Sequence, residues 1–164
     1  METSAYKPLR RRRTPKNADG YSIPQLVADL EQVCAQFKDE RDILGAVRPL
    51  ARRAALSKAS WLEDRMYHAD AAQGFGVYLL HENPDHTLAI LAVSWLPHRG
   101  APPHDHGTWA DNRRRPGYAE LKKVGEKVCG ERDVLAMPQG MIHAVWNETD
   151  VVTVSLHIYG KHIN

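Results

Sequence analysis

The spacing of apolar residues divides the chain into two textures. Between residues 22 and 38, apolar side chains recur at Leu26, Val27, Leu30, Val33, Cys34 and Phe37, the three- and four-residue spacing of one helix face. Ser22 stands where an N-cap belongs and Pro24 falls in the first turn, so the spacing predicts a helix starting there. Cys34 lies on the apolar stripe and reads as a small core residue rather than a nucleophile. A second helix is predicted over residues 39–56, with Ile43, Leu44, Val47, Leu50, Ala54 and Ala55 on one face. Pro49 should kink or split it. A short third helical segment is expected around Trp61–His68.

After Gly74-Phe75-Gly76 the period shortens to that of strands. Strand-like runs occur at Val77–His81, Thr87–Leu96, Tyr118–Val128, Val134–Met137, Ile142–Trp146 and Val151–Tyr159. Turn signals separate them: Asn83-Pro84-Asp85, Pro97–Pro103, Arg115-Pro116-Gly117, Gly130, Pro138-Gln139-Gly140 and Asn147–Asp150. Short strands at regular intervals predict a mainly-β domain, a sandwich or small barrel. The expected organisation is a mobile basic tail over 1–20, a helical cap over 21–70 and a barrel over 75–164, all one structural domain.

Length and composition fit this picture. A chain of 164 residues suits one domain, and 43% hydrophobic with 26% charged residues is ordinary for a soluble globular protein. No run of 18 apolar residues exists, and no apolar signal-peptide core opens the chain. Two distant cysteines, Cys34 and Cys129, exclude a disulfide framework and a cysteine-rich zinc module. The expectation is a reduced, cytoplasmic protein with no membrane partner. Residues 1–60 hold 12 Lys+Arg against 7 Asp+Glu, whereas residues 61–164 hold 10 against 13. All nine histidines, His68 to His162, fall in the second part, so the chemistry is expected there. Arg10–Arg13 reads as a solvated tail. No aromatic stacking pattern follows it, so nucleic acid is not an expected partner.

The sharpest local signal is Pro102-Pro103-His104-Asp105-His106. In a strand, side chains at i and i+2 share a face, so His104 and His106 can present two imidazoles to one metal ion while Asp105 points away. A lone HxH is weak evidence. A second signal, Pro138-Gln139-Gly140-Met141-Ile142-His143 followed by Asn147, is a tight turn feeding a strand that carries one histidine. It can bring a third imidazole beside the first two, leaving coordination positions open for substrate and oxygen. The third signal is Ser155-Leu156-His157-Ile158-Tyr159. Period two puts Ser155, His157 and Tyr159 on one face, as a hydrogen-bonded row that can orient the Tyr159 hydroxyl as an acid or donor. Taken alone, that row reads as the exposed polar face of an antiparallel strand.

The proline-led HDH, the later PxGxxHxxxN and the final SxHxY, in this order, resemble the cupin thiol dioxygenases. That group comprises cysteine dioxygenase and its 3-mercaptopropionate-type relatives. The resemblance covers roughly residues 75–160. It implies a cupin (double-stranded β-helix) barrel with an N-terminal helical cap. It implies that His104, His106 and His143 hold Fe(II), with Ser155, His157 and Tyr159 as the row beside the iron. It also implies a small thiol substrate, such as cysteine or 3-mercaptopropionate, oxidised with O2 to its sulfinic acid. The alternative is a metal-binding cupin without oxygenase activity, a degenerate relative or a small-ligand module.

Four departures from the family pattern bear on this choice. Only Ala110–Gly117 separates Trp109 from Tyr118, where a β-hairpin is expected. The loss should open the barrel and leave strand edges that invite self-association. No cysteine matches the one that some relatives crosslink to the tyrosine. Asp111 stands at that position, either as a fourth ligand or as a loop residue. The position where relatives place a carboxylate-binding arginine falls near Tyr78, leaving Arg65, Arg99 and Arg113 as unranked substitutes. Last, Arg132 precedes Asp133 where relatives place a glycine, so it should take a positive φ at a cost of about 1 kcal/mol. Cys129, just before that turn, reads as a strand residue.

Overall fold

Ser22 and Gln25 cap each other reciprocally and start α1 (Ile23–Gln36) in the computed structural model, which describes residues 20–106 and 122–160. Asp39 starts α2 (Glu40–Leu56), its carboxylate accepting from the amides of Arg41 and Asp42. α2 runs as one element through Pro49, neither split nor ended there. The expected third segment is two short 3₁₀ turns, Lys58–Ser60 and Asp64–Tyr67. No described helix is long and apolar enough to cross a membrane.

Three strands form one antiparallel sheet in the order β1 (Phe75–Glu82), β2 (Ala89–Trp95), β5 (Thr153–Tyr159). A second antiparallel sheet pairs β3 (Gly100–His104) with β4 (His143–Trp146). As many residues lie in α-helices as in strands, so the expected mainly-β character gives way to two helices on antiparallel sheets. Residues 122–128 and Val134–Met137, expected as strands, are irregular, and Cys129 with them is exposed. Val124 and Val128 are 96% and 85% exposed, for want of a strand to pair with among the described residues. Strand propensity expresses a fit to neighbours, and without neighbours an apolar run stays open. The rest of that expected strand, 118–121, lies outside the described residues, as do Ala110–Gly117 and the basic tail at 1–19.

The sheet has two unlike faces. Ile90, Leu156 and Ile158 pack against Leu26, Val27, Leu30 and Ala54 of the helices, forming the core. Burial on α1 is confined to its first two turns. Cys34 therefore stands exposed, not in the core, although its spacing places it on the apolar stripe. Strand alternation sends Ala89, Leu91, Val93 and Trp95 to the opposite face. Their register partners on β5 are Tyr159, His157, Ser155 and Thr153.

The segment read as a turn, Pro97–Pro103, holds most of β3 instead. Pro102 and Pro103 cannot donate to a ladder. The pairing shifts there: Ala101 faces Val145 but His104 faces His143, so three steps on β3 match two on β4. The strands meet closely at Gly100, where any Cβ would collide with the Val145 carbonyl and Trp146. Asn147 then ties this ribbon to the larger sheet. It is 5% exposed, and its Nδ2 donates to the carbonyls of Trp95, Leu96 and Val151 at 3.0, 3.1 and 2.9 Å.

Candidate metal centre

The β3–β4 ribbon delivers the three histidines. His104 and His143 are cross-strand partners, so their side chains leave the same face of the ribbon. β3 ends at His104, and His106 follows outside any regular element. The period-two reading of HDH thus holds for which way the rings point, though the strand stops one step early. His143 opens β4 directly after the turn at Pro138–Met141, where Gly140 takes φ 73° and the Met141 amide bonds the Pro138 carbonyl at 3.3 Å. The Gln139 amide anchors that turn to Glu40 at the start of α2, at 2.7 Å.

The three rings converge, with centroids 4.6–4.9 Å apart. One donor atom from each lies within 4.8 Å of the others, and all three residues are half-buried. Asp105 is exposed and stands outside this group.

The donor set fits a divalent cation. His104 Nδ1 lies 2.7 Å from the Pro102 carbonyl, and His143 Nδ1 lies 3.2 Å from the Met141 carbonyl. A carbonyl only accepts, so both rings carry their proton on Nδ1 and present the Nε2 lone pair to the cluster. His106 Nε2 and His143 Nε2 stand 3.2 Å apart. Two nitrogens each about 2.1 Å from one ion would be roughly 3.0–3.4 Å apart, for bond angles from square to tetrahedral. Burial, reinforced by His143 and His104, lowers the His106 pKa to about 4, so the ring is neutral and a competent ligand near neutral pH.

The row on β5 is continuous. Ser155 Oγ and His157 Nε2 are 2.7 Å apart, and His157 Nδ1 and the Tyr159 hydroxyl are 2.8 Å apart. At its inner end, Trp95 Nε1 donates to Ser155 Oγ at 2.8 Å. At its outer end, the Tyr159 ring stands edge-on to His106, centroids 4.8 Å apart. Burial lowers the His157 pKa to about 4 and raises that of Tyr159 to about 12. The row is therefore neutral and keeps its phenolic proton. The plain reading of an exposed polar strand face does not hold: β5 is partly buried along its length, and His106, just beyond β3, meets Tyr159 on this face.

Other sequence candidates lie elsewhere. Tyr78 pairs with Ala92 on the helix-side face and donates to the His68 carbonyl at 2.7 Å, with the Arg65 guanidinium over its ring. Arg99 donates to the Ala72 carbonyl at 2.8 Å and lies just before β3, roughly 17 Å of strand from His104. Neither arginine reaches the cluster. Arg113 and Asp111 lie outside the described residues. Arg132 takes φ 75°, as its place before Asp133 suggested. Two contributors have roles that their spacing does not disclose. One is Trp95, masked inside an apolar run. The other is Asn147, whose position in PxGxxHxxxN marked it without disclosing that it clamps the ribbon.

Comparison with protein-family models finds none that matches this chain.

Proposed function

We propose that the protein is a non-haem iron thiol dioxygenase built on a cupin-type barrel, with His104, His106 and His143 holding Fe(II). The observation that carries this reading is the junction of two independent features: a three-histidine cluster and a hydrogen-bonded Ser155–His157–Tyr159 row, joined where Tyr159 meets His106. Either feature alone suits many proteins. Together they make a neutral ligand set beside a protonated donor.

The chemistry follows from the charges. Three neutral imidazoles leave a bound dication its full charge, which favours an anionic ligand and lowers the pKa of a thiol. Fe(II) would supply the redox chemistry by which both atoms of O2 add to a thiolate sulfur, R–S⁻ + O2 giving R–SO2⁻. The chain's part is to bind, orient and donate. The backbone carbonyls of Pro102 and Met141 fix two ligand tautomers. Tyr159, held at its hydroxyl by His157, offers a proton or hydrogen bond beside the cluster.

A second reading is a metal-binding module of the same fold without oxygenase activity. It is favoured by one observation: Arg65 and Arg99 are both turned away from the cluster, so neither holds a substrate carboxylate there. Oxygen consumption separates the two readings. Iron-loaded protein is given a panel of small thiols, with sulfinate measured as product. Tyr159→Phe should keep iron and slow oxidation by about a hundred- to ten-thousand-fold. Wild-type rates in that variant would leave the row a structural feature. Oxygen-inert iron protein with every thiol would leave the binding module.

A further inference from the structure

The Ser155–His157–Tyr159 row has a direction, and the atoms around Ser155 fix it. Trp95 Nε1 is a donor only, so its 2.8 Å bond occupies one lone pair of Ser155 Oγ. The hydroxyl has one proton left to give and one lone pair left to fill. Two neighbours compete for the proton: His157 Nε2 at 2.7 Å, and the Val93 carbonyl at 3.5 Å, the outer limit of a hydrogen bond.

We infer that Trp95 is a positioning residue that polarises the row outward, so that the Tyr159 hydroxyl proton points to the three-histidine cluster. Ser155 gives its proton to His157 Nε2. A neutral imidazole has one N–H, which must then sit on Nδ1 and donate to the Tyr159 oxygen, 2.8 Å away. Tyr159, already accepting from His157, has its own proton free for the side where His106 lies. In the reverse order Tyr159 donates inward to Nδ1, and Nε2–H donates to Ser155. Oγ would then accept twice and donate only across 3.5 Å to Val93. An accepted hydrogen bond strengthens the bond the same group donates, so the Trp95 contact favours the outward order further.

The outward order determines what the site welcomes. A ligand on the cluster meets a donor from Tyr159, so it must bring an acceptor atom: an anion such as a thiolate, or an oxygen. A ligand presenting N–H at that point would face the Tyr159 proton and be rejected. The inference rests on the metal-site reading for its purpose, but not on oxygenase activity.

The test reads the His157 tautomer in the full-length, metal-free chain at neutral pH. Long-range ¹⁵N–¹H correlation spectra distinguish a protonated ring nitrogen from a bare one. Wild type should have His157 protonated on Nδ1 and bare on Nε2, with a slowly exchanging Trp95 indole N–H. Protonation on Nε2 in wild type overturns the inference with no variant needed. In Trp95→Phe, Ser155 Oγ loses its donor, and the only remaining donor within reach among the described residues is His157. The Nε2–H tautomer should then appear as a second population. A pure Nδ1–H signal in a folded Trp95→Phe variant would remove Trp95 from the role. Because no thiol or oxygen enters this measurement, it can stand while the dioxygenase reading fails, or fail while that reading stands.

Discussion

Asn147 ties the strand that carries His143 to the larger sheet, so it is the side chain whose loss should loosen the metal ligands. Replacing it with alanine removes its donations to Trp95, Leu96 and Val151, and the acceptor that Thr149 uses through both its amide and its hydroxyl. Some of these groups keep other partners. The Leu96 carbonyl still takes the Arg99 amide at 3.2 Å, and Val151 still takes the Thr149 hydroxyl at 3.0 Å. The Trp95 carbonyl keeps its place in the ladder opposite Thr153, and Thr149 is exposed, so water can replace the acceptor its amide loses. At about 1–3 kcal/mol for a buried polar network that loses its central partner, the loss is about 2 kcal/mol. For a chain of this size that lowers Tm by roughly 4–8 °C.

Asn147→Asp sharpens the test because it preserves shape. It swaps the donating amide for a second carboxylate oxygen, set against three carbonyl oxygens. If Asn147 mattered for packing volume, aspartate would be the milder change. On the hydrogen-bond account it costs at least as much as alanine at neutral pH. Urea unfolding with both variants measures this, and a competitive metal titration on the same samples should reveal weakened binding. An aspartate variant within 1 kcal/mol of wild type would refute the clamp.

Three further outcomes are expected. His143→Ala should abolish stoichiometric binding of iron or zinc, measured by metal analysis after dialysis, while the far-ultraviolet circular dichroism changes little, because the helical core lies on the other face of the sheet. Stability should fall as pH drops from about 6.5 to about 4, because unfolded His157 takes up a proton that the folded chain refuses; the window carries up to about 3 kcal/mol, and a flat series of urea midpoints across it would contradict the burial of that ring. Zinc should slow amide exchange in β3 and β4 but leave α1 and α2 unchanged at sub-global openings, because all three ligands ride on the ribbon or its immediate extension.

The site was more legible in the chain than the fold was. Local rules fixed α1 and α2: the cap at Ser22 and the acidic cap at Asp39 are decided within a few residues of each helix start. HxH and SxHxY were legible for the same reason, since strand alternation is a local property. His143 came from a turn whose geometry Gly140 satisfies. The irregular run at 122–137 was not legible, because its apolar residues have strand propensity but pairing depends on a distant neighbour. β3 was hidden behind two prolines that punctuate a sequence without preventing a bulged edge strand. Cys34 shows the limit of periodicity, which names a face but not how far along the helix that face is covered.

The two sheets also explain why the ligands and the donor row are on separate elements. The row is built into the larger sheet, where Trp95, Ser155 and His157 are held by ladder pairing and by the helical core on the reverse face. The ligands hang on a short ribbon, tied to the larger sheet by Asn147 after β4 and to α2 by the Gln139–Glu40 bond in the turn before His143. A rigid sheet suits a hydrogen bond whose direction matters over a few tenths of an ångström. A short two-stranded ribbon suits ligands that must close around an ion from donor atoms spread up to 4.8 Å apart. An ion binding there would be a further fastening, and would bring His106 and Tyr159 into fixed register. Metal affinity and the placing of the Tyr159 hydroxyl are then coupled through one contact, between those two rings.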